Sequence, residues 1–223
     1  MKSLITLTII LFTSSLFSQQ MITKDVGDFS ELKVFDLVFV RLIPSEENKV
    51  VIKGEYSNDI KVINDNGTLK VRMHTEKRFH GEDTYIEVYA KNIDVIDANE
   101  GTKITVNEVL KQNNIELRAQ EGGTINIALN VKHAKIKSVT GGIIEATGTA
   151  NMQEITLNTG GIFNGRTLQT ENTKVKITAA GEAEVRASNK VDAKVTAGGD
   201  IVIFGNPTTV NKKQFAGGRI KVM

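Results

Sequence analysis

The chain has 223 residues, with 28 Lys and Arg against 26 Asp and Glu, and a formal net charge of only +2. The two signs are dispersed among each other, which argues against an electrostatic footprint for nucleic acid, and the absence of Cys excludes disulfides and thiolate metal sites. Aromatic residues make up 5% and Trp is absent, so any core must be assembled mostly from Ile, Val, Leu and Ala.

Residues 1–18 open on one Lys, run apolar from Leu4 to Phe12 and end on small polar residues. That order is the one a secretory signal uses, and the run is short of the about 20 apolar residues a membrane span needs. Cleavage near Ser18 or Gln19 is expected, leaving an exported chain with no membrane span and no Cys to take a lipid. Its expected location is the periplasm, the outer-membrane surface or the medium.

Residues 19–95 are rich in strand patterns: "LKVFDLVFVRLI", "KVVIKG", "DIKVIND", "GTLKVRM" and "TYIEVYA", with "NDNGT" as a turn between two of them. They are expected to form irregular first coils and an N-terminal cap of a single domain spanning 19–223, a separate sandwich being the alternative. The polar stretch "HTEKRFHGED" interrupts these strands. Its His74 and His80, with Glu76, Glu82 and Asp83, are candidate metal ligands, but they read first as surface loop residues, and His133 reads as a corner residue.

From residue 96 the chain repeats. Units begin at Gly101, Gly122–Gly123, Gly141–Gly142, Gly160–Gly161, Ala180–Gly181, Gly198–Gly199 and Gly217–Gly218, 18 to 21 residues apart. The fourth position reads Ile104, Ile125, Ile144, Phe163, Ala183, Ile201 and Ile220; the sixth reads Val106, Ile127, Ala146, Gly165, Val185, Ile203 and Val222. Polar residues fill most of the positions between, which is the two-residue period of a half-buried strand. A second strand precedes each turn, with Ile96, Leu117, Ile136, Ile155, Val175 and Ala193 five residues before it. Each unit thus reads as strand, Gly turn and strand, with loops such as "LQTENT" closing the circuit.

A unit of about 19 residues cannot fold alone. Its few inward side chains contribute roughly 1.5–3 kcal/mol each, while ordering the backbone costs about 1–2 kcal/mol per residue. Stacking shares the inward faces and pairs the backbones in parallel ladders about 4.8 Å apart. The fold class expected is all-β, a single-stranded parallel β-helix with about 19-residue coils. Glycine suits the corner because it accepts φ > 0 and close backbone approach. A phosphate cradle would need a helix after the glycines, and no helical pattern follows. At the far end Lys212 and Gln214 occupy columns that were apolar, a polar termination that opposes end-to-end pairing.

The opening "VGDFSELKVFDLVFVRLIPSEENKVVIKG", then "NGTLKV", then the ladder "EGGTIN", "TGGIIEATG", "NTGGIFNG" and "AGGDIVIFGNP" resemble the head GIN domain of Bacteroidota-type auto-transporter adhesins. The resemblance spans nearly all of residues 19–223. It implies a right-handed β-helix exported to the envelope or cell surface, and it brings no catalytic residues.

Candidate surface sites follow from the outward positions. Glu182, Glu184, Asp200, Arg219 and Lys221 fall together on consecutive coils, where carboxylates about 5 Å apart could hold Ca²⁺ or share a catalytic proton. A solvated face with ladder salt bridges is the plainer reading. Ile143 and Ile162 form an apolar pair, and Tyr85 and Tyr89 share one side of "TYIEVYA" with Glu87 between them. The function expected is a binding or structural module in surface adhesion, without catalysis. A polysaccharide lyase or hydrolase on the acidic face is the alternative. The expected partner is a surface protein or glycan, not nucleic acid, with self-association left open; no cofactor is expected beyond the Ca²⁺ option.

Overall fold

The computed structural model describes residues 21–74, 76 and 84–223. The segment read as an export signal, and His80, Glu82 and Asp83 of the polar loop, lie outside the described residues.

Alternating inward and outward side chains generate the regular part. Strands β9 (Lys103–Ala119), β10 (Thr124–Val139), β11 (Ile143–Asn158), β12 (Gly161–Ala179) and β13 (Gly181–Ala197) follow one another. Each lies parallel on the last, so that Ile104, Ile125, Ile144, Phe163 and Ala183 form one inward column. The result is the expected parallel solenoid, about seven coils of about 19 residues. Every residue of that column is buried, and Ala98, Ala119, Ser138, Leu157, Ile177 and Val195 line the core from the opposite side.

In the coils of β9 to β13 the expected division into two strands and a loop is corrected, whereas the last coil keeps it, residues 205–208 lying between two separate strands. "LQTENT" lies inside β12, with Leu168, Thr170 and Thr173 buried. The backbone of these polar residues stays in the ladder, and Thr170 donates its hydroxyl proton to Arg186 O (2.7 Å). Nothing therefore forces the strand to stop. The chain bends instead at shifts of register, between Ile127 and Ala128, Glu145 and Gly148, and Asn164 and Gln169. Each coil so has a leading segment after the Gly turn, a middle segment and a trailing segment before the next turn.

At the remaining corner the two glycines do different work. Thr140 and Gly141 both take positive φ (49° and 72°), and Gly142 N donates to Val139 O at 3.0 Å, which is a tight turn of the I′ kind. Gly142 itself has ordinary φ, but a Cβ there would lie 2.3 Å from Ala119 O of the preceding coil. The first glycine supplies conformation and the second supplies space.

The N-terminal strands join the same ladders out of sequence order. They are β1 (Met21–Asp25), β2 (Glu31–Val34), β3 (Phe39–Pro44), β4 (Lys49–Gly54), β5 (Ile60–Asp65), β6 (Thr68–Met73), β7 (Thr84–Ala90) and β8 (Val95–Ala98). On the trailing side β8 pairs with β9, β2 with β8, and β6 with β2; on the leading side β3 pairs with β9 and β7 with β3. The β2–β3 coil thus sits between β6–β7 and β8–β9. Its turn, Asp36–Leu37, has positive φ at both residues without a glycine, and Leu37 N donates to Glu100 O of the next turn (3.0 Å). Antiparallel strands close this end: β4 and β1 beyond β7, and β5 beyond β6 through the Asn66–Gly67 hairpin anticipated at "NDNGT".

The last coil contains β14 (Asp200–Phe204), β15 (Thr209–Ala216) and β16 (Arg219–Val222). Lys212 and Gln214 stand in register with the buried Ala193 and Val195 of the coil before. Their heads donate to Ile220 O (3.4 Å) and Gly218 O (2.5 Å) across the open end. Polar groups therefore finish the apolar stack.

Candidate binding surface

The outward residues of the leading segments form columns as regular as the core. One column runs Tyr85, Phe39, Lys103, Thr124, Ile143, Ile162, Glu182, Asp200 and Arg219, each opposite the next. At about 4.8 Å per rung it is roughly 40 Å long. The candidate patches that were separate in sequence, the tyrosine, the isoleucine pair and the acidic group, are stations along this one line. The adjacent column carries Glu87, Arg41, Thr105, Asn126, Glu145, Asn164, Glu184, Val202 and Lys221.

At the N-terminal end the column is aromatic. Tyr85 is 63% exposed and stacks on Phe39, ring centroids 6.3 Å apart and planes 23° from parallel. Glu87 accepts from Lys53 Nζ (3.0 Å) and from the Tyr89 hydroxyl (3.3 Å), while Lys49 Nζ sits 4.8 Å from the Tyr89 ring centre. Phe39, Arg41, Tyr85, Glu87, Lys103 and Thr105 border a shallow depression of about 520 Å³. Phe39 had no sequence signal for this role, because its pairing with Tyr85 depends on the out-of-order stacking of β3 and β7.

The middle of the column is half-buried, Ile143 lying directly opposite Ile162. Beside it Glu145 accepts from the Asn164 amide at 3.3 Å. Asn126, in the amide orientation that satisfies both its atoms, donates to the other Glu145 oxygen at 3.1 Å.

At the C-terminal end Arg219 grips Asp200 with two bonds, Nε to Oδ1 (2.9 Å) and Nη2 to Oδ2 (2.7 Å). These bonds hold the Asp200 carboxyl below the usual carboxylate range. Both Asp200 oxygens are thus engaged by Arg219, which is a ladder salt bridge of the kind the plainer reading describes. Glu182 precedes Asp200 in the ladder, and Val202 separates Glu184 from Lys221. Among the described residues no group of three or more His, Asp or Glu side chains is placed to hold a metal ion. His74 and Glu76 are exposed, and His133 is half-buried within β10, opposite Asn114 and Met152, not at a coil corner.

Sequence reasoning missed the trailing face. Its first coils carry an alternating ionic lattice: Lys33 with Glu31 (3.3 Å) and Asp97 (3.5 Å), Arg118 with Glu31 (3.3 Å) and Glu116 (2.8 Å), and Lys135 with Glu116 (3.2 Å). Burial works to raise the Glu116 carboxyl, but Arg118 and Lys135 outweigh it and hold it low. At Asp97, 4% exposed, burial wins over Lys33 and Arg118 and the carboxyl is raised. A carboxyl raised in the folded state binds its proton more tightly there, so it subtracts stability as pH rises from about 4 through the folded value. Asp97→Asn should therefore melt above the wild type at pH 7. At pH 3, where the wild-type carboxyl is also neutral, the two melting curves should coincide.

The middle face begins only at β9. The N-terminal coils leave a cleft of about 470 Å³ beside it, bordered by Leu42, Ala90, Ile93, Leu110 and Gln112. Gln112 spans it, donating to Ile93 O at 2.8 Å.

Set against known proteins, residues 28–207 match the sequence profile of the family described as "Putative auto-transporter adhesin, head GIN domain". A crystal structure of a "putative adhesin" from Bacteroides fragilis superposes with a TM-score of 0.83 at 19% identity, covering 92% of this chain and 98% of that one. A "putative lipid binding protein" from Parabacteroides distasonis gives 0.72 at 15% identity, covering 92% and 96%. A "putative adhesin" from Parabacteroides merdae gives 0.70 at 15%, again covering 92% and 96%. At these identities the likeness is one of fold. No curated protein matches the sequence.

Proposed function

The chain belongs to the head GIN domain family, and from that premise we propose that it is an exported adhesion module that binds a surface glycan or protein without transforming it. The observation that carries this reading is the aromatic end of the leading column. Tyr85 presents most of its ring to solvent on a strand, held flat by Phe39 and flanked by the Lys53–Glu87–Tyr89 cluster. A rigid amphipathic ring beside satisfied polar groups suits recognition, because little side-chain freedom is lost on contact. The same column ends in a carboxylate already paired with Arg219, which suits a scaffold better than acid–base chemistry.

The test is binding of the purified chain to a panel of immobilised glycans and matrix proteins. Tyr85→Ala should weaken the strongest interaction at least tenfold while leaving the melting temperature unchanged, since the ring is largely exposed. Indifference of all binding to Tyr85→Ala, or release of reducing ends from a polysaccharide panel, would overturn the proposal.

A further inference from the structure

The trailing face changes character along the axis. Its outward column reads Lys70, Lys33, Asp97, Arg118, Lys137, Thr156, Lys176, Lys194 and Lys213 in order of pairing. In the early coils Lys70, Lys33 and Arg118 of this column are each ion-paired with a carboxylate. From Lys137 onward the column has no acid at all. Lys137, Lys176, Lys194 and Lys213 are exposed, and no carboxylate among the described residues pairs with any of them.

Lys176, Lys194 and Lys213 occupy successive rungs about 4.8 Å apart. Like charges directly opposite on paired strands destabilise a sheet. Outward positions place no packing demand on the residue, so the fold gains nothing from this arrangement. The next column alternates Glu154, Lys174, Asp192 and Asn211, and between the two lies a shallow depression of about 360 Å³ floored by Val175 and Ala193. Asp192 is held in place by Asn211 Nδ2 (2.7 Å) and Lys190 (3.0 Å).

We propose that this half of the trailing face binds a linear acidic polysaccharide along the Lys137–Lys213 column. The row of ammonium groups matches a polymer with anionic groups at regular intervals. Glu154, Asp192, Asn211 and Thr156, standing among the lysines, are acceptors and donors for sugar hydroxyls, whereas two carboxylates would oppose a phosphate-dense strand. Phe215, 87% exposed and two residues beyond Lys213 on the same side of β15, ends the row with one apolar surface for a sugar ring. Bases stacked in series need successive aromatics, and a bilayer surface needs an apolar set to insert; a single Phe at one end provides neither. The site is on a different face from Tyr85 and stands or falls separately from the adhesion reading.

The experiment measures binding of the chain to polygalacturonate, neutral dextran, single-stranded DNA and anionic phospholipid vesicles at several NaCl concentrations. Polygalacturonate should bind, weaken steeply with salt and outcompete the others. Lys176→Gln/Lys194→Gln should lower that affinity at least tenfold, with a melting temperature equal to or above the wild type. Lys61→Gln/Lys111→Gln, which removes the same charge from exposed sites elsewhere, should change it less than twofold. Equal losses in both double variants would reduce the effect to net charge and overturn the proposal, as would tighter binding to DNA or to vesicles.

Discussion

Gly142→Ala unfolds at a temperature roughly 5–10 °C below the wild type, whereas Gly141→Asn, one residue earlier, stays within about 2 °C of it. The contrast follows from the division of labour in the turn. Gly141 has φ of +72° with open space where a Cβ would stand, and asparagine is the non-glycine residue that best tolerates that conformation. Gly142 has no unusual φ, but its methyl would lie 2.3 Å from Ala119 O and 2.5 Å from the carbonyl carbon behind it. Backbone cannot swing aside as a side chain can, so the two coils must separate locally. Overpacking of this kind costs about 1–3 kcal/mol or somewhat more, which in a chain of this size gives the stated drop. A calorimetric scan of the two variants decides the matter. Equal shifts would show that conformation, and not the closeness of the coils, selects glycine at both places.

The second large effect belongs to Phe163→Ala, expected to cost about 3–5 kcal/mol and to lower the melting temperature by roughly 10–15 °C. Phe163 is the largest fully buried side chain, in a column otherwise of Ile and Ala. Its ring fits because position 165 has no side chain: a Cβ on Gly165 would lie 2.4 Å from Phe163 Cε1. Ala183, opposite Phe163 on the next coil, is also small. The ring and the absent side chain are one packing unit, so substitutions there should not add. Gly165→Ala alone should destabilise by overpacking. Phe163→Leu/Gly165→Ala should be more stable than the sum of its parts, because the methyl introduced at 165 enters space the shorter side chain vacates. Strict additivity in a double-mutant cycle by urea unfolding would contradict that account.

The regular coils were legible because one cause acts at every repeat. Each corner meets the coil before it, so glycine recurs; each inward position meets the same core, so Ile104, Ile125 and Ile144 recur. The bends were not legible, since "LQTENT" has a loop's composition and yet keeps its ladder partners. Nor was the N-terminal order, because nothing local says that β2 lies between β6 and β8. The stack of Tyr85 on Phe39 was hidden with it. The trailing lysines were hidden differently. Along the chain Lys137, Lys176, Lys194 and Lys213 are dispersed among acids, and their common place four residues before each turn emerges only when the repeats are aligned. Net charge averages over both faces, so +2 concealed a column of one sign.

The independence of the inward and outward columns bears on how such a surface changes over generations. Duplicating one coil of about 19 residues inserts a rung into every column at once, and the apolar column accepts it because its neighbours above and below already match. A deletion of one residue, by contrast, would throw a whole strand's inward set outward. Variation in length is thus quantised in coils. Copying the coil that bears Lys194 would lengthen the basic row by one ammonium group while the fold stayed as it is. Such a surface can be extended by recombination and edited by single substitutions, two routes that do not interfere.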